Sequence, residues 1–199
     1  MSGIFIFLVL VVLVFLCTCV GICTAACGDD AVNIAKRTNA TIICAYELYE
    51  WLSKQGLKNF RPMNTGGKWS TDFGTVKCVV AQHSSGMPDG AYGGNPMGFV
   101  FKTKDGDFYY SGDTALTMDM QLIPRWAKIK FAVLPIGDNF TMDVEDAIDA
   151  ADFVQCDKVV GVHYDTFGYI VIDHEEAKKK FADSRKELIL LKIGESIEL

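Results

Sequence analysis

Three short runs of β-forming residues in this chain each lead into a side chain able to bind a metal. Residues 75–82 run into His83, residues 107–111 are followed at once by Gly112 and Asp113, and residues 158–162 run into His163. In sandwich and α/β folds, strand ends open on one rim, where loops build the site. A chain of this pattern is therefore expected to bring two imidazoles and a carboxylate to one rim. Those donor types suit Zn²⁺ or a similar divalent ion. Taken singly, each residue also has a plain structural reading. A histidine after a strand is commonly a hydrogen-bonded structural residue, and Asp in Gly-Asp-Thr is often a turn residue.

The segments around these runs alternate between strand and helix. Residues 40–44 are a short apolar run with two isoleucines, as in a buried strand. Residues 46–55 put Leu48, Trp51 and Leu52 on one side of a helix, with Gly56 at its C′ position. Residues 98–103 and 107–111 flank Lys104-Asp105-Gly106, a hairpin signal in which Asp-Gly supplies positive φ angles. Residues 131–136 are apolar until Gly137-Asp138-Asn139 breaks them, and residues 188–193 read as the last strand. Asp29 and Asp30 suit the N-cap of a helix over 31–37. Residues 143–154 form a helix with an acidic first turn, and Asp173 opens a capping-box pattern for a helix to Ala182, with His174 in its first turn. Residues 58–72 are rich in Asn, Gly and Pro and read as loop and turn. Residues 84–96 read as a glycine-rich loop, and 115–126 as a helix disturbed at Pro124. Alternation of this kind, with one inserted hairpin, predicts an α/β (α+β) fold.

The first 28 residues carry no charged side chain, and residues 4–20 are almost continuous Ile, Leu, Val and Phe. Such a run is long enough to cross a bilayer, so residues 1–27 are expected to form a hydrophobic leader or transmembrane-like segment, with membrane contact through residues 4–26. Thr24-Ala25-Ala26 also has the small residues of a signal-peptide cleavage site, but no Lys or Arg precedes the run. A misjoined reading frame attached to a truncated enzyme accounts for the same pattern.

Half of the residues are hydrophobic and 22% are charged, which fits a globular domain. A net charge of −6 without a Lys/Arg cluster speaks against nucleic acid as a partner, which needs a basic face. Lys178, Lys179 and Lys180 follow Glu175 and Glu176 and read as a solvated helix face. Cys44, Cys78 and Cys156 stand singly in apolar segments and no CxxC pair occurs, so buried thiols are expected rather than a zinc knuckle or a disulfide framework.

Several stretches resemble one family. They are Asp30-Ala31-Val32-Asn33-Ile34-Ala35-Lys36-Arg37-Thr38, Val80-Ala81-Gln82-His83-Ser84-Ser85, Tyr110-Ser111-Gly112-Asp113-Thr114, Leu134-Pro135-Ile136-Gly137-Asp138-Asn139-Phe140-Thr141-Met142 and Gly161-Val162-His163-Tyr164-Asp165-Thr166-Phe167. In this order along residues 29–199 they resemble the C-terminal part of the metallo-β-lactamase superfamily. The likeness is to its small bacterial metal-dependent hydrolases related to ascorbate-phosphate lactonases. That resemblance implies an αββα sandwich with a divalent-metal site between its sheets, Zn first and Mn or Fe as alternatives. By motif it implies that His83, Asp113 and His163 are metal ligands, with Asp113 bridging two ions. Asp113 and His163 are then also the catalytic pair, acting with a metal-activated water. Asp138, Asn139 and Tyr164 become candidate substrate contacts.

The same resemblance places a His-x-His-x-Asp-His run directly before the helix near Asp29. Here residues 21–28 read Gly-Ile-Cys-Thr-Ala-Ala-Cys-Gly, and no histidine precedes His83. Cys23 or Cys27 offers a thiolate as a replacement ligand. Two readings follow. One is a metal-dependent hydrolase of a small ester, lactone or phosphorylated metabolite, impaired by missing ligands and, as the resemblance implies, cytoplasmic. The other is an inactive, membrane-tethered remnant or truncated gene product.

Overall fold

The computed structural model describes residues 25–199, and side chains from residue 32 onward. The expected leader therefore lies almost wholly outside the described residues. Its last three residues, Ala25 to Cys27, are the first turn of helix α1 (Ala25–Thr38). Among the described residues no helix is long and apolar enough to cross a membrane.

Nine strands follow in two sheets. Strands β1 (Ile42–Cys44) and β2 (Phe60–Pro62) pair in parallel. The large sheet takes its strands in chain order: β3 (Lys68–Ser70), β4 (Gly74–Val80), β5 (Met97–Thr103), β6 (Asp107–Tyr110), β7 (Ile129–Pro135), β8 (Lys158–Val162) and β9 (Glu187–Ile189). Pairing is antiparallel from β3 to β6 and parallel from β6 to β9. Strands β4, β6, β7, β8 and β9 therefore run the same way, and their C-terminal ends share one edge. This is the rim expected from the sequence.

Side-chain alternation builds the layers. Strand β1 is buried throughout because it faces both ways. Ile42 and Cys44 pack with Leu48 and Leu52 of helix α2 (Tyr46–Ser53) and with Val32 and Ala35 of α1. Ile43 packs instead against Val76, Cys78, Phe99 and Phe101 of the large sheet. The other face of that sheet packs Val79, Tyr109, Leu134 and Val159 against helix α3 (Val144–Phe153), helix α4 (His174–Asp183) and a 3₁₀ helix (Met118–Arg125). The described chain is thus layered helix, sheet, sheet, helix, an αββα sandwich. Full burial of side chains such as Phe181 and Leu134 stabilises this stack by about 1.5–3 kcal/mol each before entropy is counted.

Local signals act as expected at several ends. Asp143 Oδ1 accepts from Asp146 N–H at 2.7 Å and starts α3; Asp173 Oδ1 accepts from the N–H groups of Glu175 and Glu176 and starts α4. In the β5–β6 hairpin only Gly106 has positive φ (135°), and Asp105 does not. The 58–72 segment differs from expectation, because it holds β2 and β3. Both are short edge strands held by partners, β2 by β1 and β3 by β4, rather than by a β-forming run of their own. The 115–126 segment is a 3₁₀ helix with Pro124 inside it, and β9 stops at Ile189.

Candidate metal centre

The rim is sewn together by its loops. Thr114, fully buried, accepts at Oγ1 from Gln82 N–H (2.9 Å) and receives Met142 N–H at its carbonyl (3.1 Å). Ala115 N–H donates to the Gln82 carbonyl at 3.1 Å. The loops after β4, β6 and β7 are therefore joined next to His83, Asp113 and Asp138. The loop after β8 closes against them through Ile136 N–H on the Val162 carbonyl (3.1 Å). Gly137 lies so close to His163 that a Cβ added there would sit 2.1 Å from the His163 carbonyl oxygen. No other residue fits at 137 without moving that strand end.

Four non-glycine residues at this rim hold left-handed φ: Asp138 (62°), Asn139 (56°), His163 (57°) and Asp165 (60°). Each such residue costs of order 1–3 kcal/mol and persists only where surrounding bonds over-determine it. Here Asp138 N–H donates to the Met142 carbonyl at 3.0 Å and Asp165 N–H to the Ile170 carbonyl at 2.8 Å. Strain is concentrated where the candidate residues are displayed.

Asp113 and His163, fifty residues apart in the chain, come together. His163 Nε2 lies 3.8 Å from Asp113 Oδ2, and their side chains are 13% and 5% exposed. That gap is too long for a hydrogen bond. It is close to the spacing of two donors on one ion, about 3.4 Å for tetrahedral ligands ~2.1 Å from the metal. The other ring nitrogen, Nδ1, is buried with no hydrogen-bond partner among the described residues, and so is Thr141 Oγ1 on the same rim. A nearly dry carboxyl group beside an imidazole is a donor pair of the kind that suits a divalent cation.

His83 stands on the same rim, half-buried, with Nδ1 3.0 Å from the Ser84 carbonyl oxygen. Among the described residues no three His, Cys, Asp or Glu side chains are grouped to hold a metal ion. The donors thus fit a metal in kind and in pairwise spacing, and the described residues supply two of them together rather than three. Asp138 and Asn139 are exposed on the loop that follows β7. Tyr164 is half-buried, its hydroxyl 3.4 Å from the Leu191 carbonyl, and burial, with the Asp165 charge, raises its pKa. His174 is more than a first-turn helix residue, because Nε2 meets Asp165 Oδ2 at 2.5 Å. Thr114 and Gly137 were legible as motif letters but not as the residues that lock the rim.

A family model described as the beta-lactamase superfamily domain matches residues 27–164. The chain belongs to this superfamily. A UPF0173 metal-dependent hydrolase of Flavobacterium johnsoniae is 58% identical over 179 residues, covering 88% of this chain and 79% of the relative. Another, from Staphylococcus carnosus, is 42% identical over 175 residues, covering 85% and 75%. Among solved structures, a metallo hydrolase from Ignicoccus hospitalis superposes with a TM-score of 0.75 at 31% identity, covering 84% of this chain and 72% of that one. An isothiocyanate hydrolase from Delia radicum gut bacteria, at 17% identity and a TM-score of 0.66, shares the fold. The homologues are thus named as metal-dependent hydrolases, and membership of the superfamily implies a divalent metal.

Proposed function

We propose that this chain is a metal-dependent hydrolase of a small ester, lactone or phosphorylated metabolite, with Asp113 and His163 as its central metal ligands. The observation that supports this reading is the 3.8 Å approach of His163 Nε2 to Asp113 Oδ2 on the shared rim. His83, on the adjoining loop, is the third ligand in this proposal. When bound, a divalent ion such as Zn²⁺ supplies Lewis acidity and a water acidified toward pKa ~7. Asp113 contributes a carboxyl oxygen in a nearly dry position, and His163 contributes a ring nitrogen held by its strained backbone. Asp138, Asn139 and Tyr164, on the loops after β7 and β8, are proposed to orient a small polar substrate.

A catalytic zinc site ordinarily has three protein ligands. With two donors grouped and His83 engaged at Ser84, we propose weak metal retention and reduced turnover. Zn²⁺ or Mn²⁺ titration of purified protein tests this. The expected result is one ion taken up, readily lost on dialysis, and no uptake in Asp113→Asn or His163→Gln variants of unchanged fold. Absence of uptake by the wild-type protein, or equal uptake by both variants, overturns the proposal. A panel of aryl esters, lactones and phosphate esters then tests turnover.

A further inference from the structure

Phe140, Phe167 and Tyr169 form a cluster of rings on the two rim loops. Their centroids are 5.9 Å apart for Phe140–Phe167, 6.3 Å for Phe140–Tyr169 and 6.5 Å for Phe167–Tyr169. All three are exposed, at 39%, 37% and 75%. Phe140 follows Asn139 directly, and Phe167 and Tyr169 lie four and six residues after His163. Both loops have fixed backbones: Phe140 N–H donates to the Asp138 carbonyl at 2.6 Å and Ile170 N–H to the Phe167 carbonyl at 3.1 Å. Ile170 also packs at the point where Gly137 meets His163. The two ring-bearing loops thus meet at Gly137 and Ile170, next to the His163 backbone.

We propose that this cluster is a binding platform for a flat apolar ring in the substrate, so that the preferred substrates are esters or phosphoryl compounds carrying an aromatic group. The proposal rests on the hydrolase reading of the Asp113–His163 site. Ring area decides between a small ligand and a protein partner. At ~200 Å² per aromatic side chain, the exposed fractions leave roughly 300 Å² of ring surface. A stable protein interface needs about 800 Å² on each side. One planar group fits the former and leaves the latter unmet. Offset or edge-on stacking against pre-set rings gives affinity without an ordering cost.

The test compares phenylphosphonate with methylphosphonate, which share the anionic head and differ in the ring. Binding to the full chain, supplied with Zn²⁺, is followed by NMR chemical-shift titration. Phenylphosphonate is expected to bind about tenfold more tightly, the scale of a stacked ring contact. The Tyr169→Ser and Phe167→Ser/Tyr169→Ser variants are expected to bring the two ligands within twofold, with the thermal midpoint of Tyr169→Ser unchanged because that ring is 75% exposed. Tyr169→Phe is expected to keep the preference. Equal binding in the wild type, no measurable binding of phenylphosphonate at millimolar concentration, or a preference that survives the serine variants overturns the platform. So does self-association of the wild type that the serine variants abolish, which assigns the rings to a second copy. Failure of metal uptake and turnover defeats the hydrolase reading and leaves the ring preference readable. A missing ring preference in a protein that takes up metal and turns over ester defeats the platform alone.

Discussion

Replacing Gly137 by alanine tests the link between the packing of the rim and the candidate metal centre. The added Cβ meets the His163 carbonyl oxygen at 2.1 Å, its carbonyl carbon at 3.2 Å and Ile170 Cβ at 3.0 Å. An ordinary carbon–oxygen contact is longer by about 1 Å, so a strand end must move by about that much. The nearest obstacle is the His163 backbone, and the third contact, Ile170 Cβ, is the branch point of its side chain, which no rotamer change moves away. Overpacking of this kind costs about 1–3 kcal/mol, and the rigid partner puts Gly137→Ala near the upper end. For a chain of this length, about 3 kcal/mol lowers the thermal midpoint by roughly 6–12 °C. The displaced residue is His163, whose spacing to Asp113 is 3.8 Å. Misplacing a ligand through its surroundings typically lowers metal affinity about 10–100-fold. Gly168→Ala is the control, since a Cβ there meets nothing within 4 Å and φ is not left-handed. Circular dichroism melts and Zn²⁺ titration against a chromophoric chelator read both effects. A Gly137→Ala protein with the midpoint and Zn²⁺ affinity of the Gly168→Ala protein would refute the reasoning.

Three further outcomes follow from the same structure. Burial first, and then the charges of Asp143, Asp149, Asp138 and Glu145, raise the Asp146 carboxyl above its ordinary 3.8. The fold thus favours its neutral form, and ionisation costs stability as pH rises. Asp146→Asn is expected to raise the urea midpoint at neutral pH, with the gain closing below about pH 3.8; an equal midpoint at neutral pH contradicts this. Thr114→Val removes the acceptor of Gln82 N–H and is expected to cost about 0.5–1.5 kcal/mol and to speed exchange of the Gln82 amide; unchanged exchange sinks the stitching role. Burial pushes the Cys78 thiol up to about 12 and also raises Cys156, so both are expected to resist iodoacetamide in the folded protein and to react in urea. Rapid labelling of either in the native state contradicts their burial.

Much of the fold follows from local chemistry. Strand β8 ends where the Val-rich run meets His163, and the caps at Asp143 and Asp173 act within one turn. Burial of all three β1 residues came from a two-sided environment that an apolar run already implies. Strands β2 and β3 were not legible, because an edge strand needs a partner more than it needs β-forming residues. Chain order alone put the metal-binding residue types at strand ends, since each end is specified by a few neighbouring residues. Which of those ends meet was left to the tertiary structure: strand order, Gly137 against His163 and the Thr114 bonds bring Asp113 to His163, while His83 turns to Ser84. The ring cluster belongs to the same class, because contacts between distant loops depend on sheet register and backbone strain, and neither is written in any local run of residues.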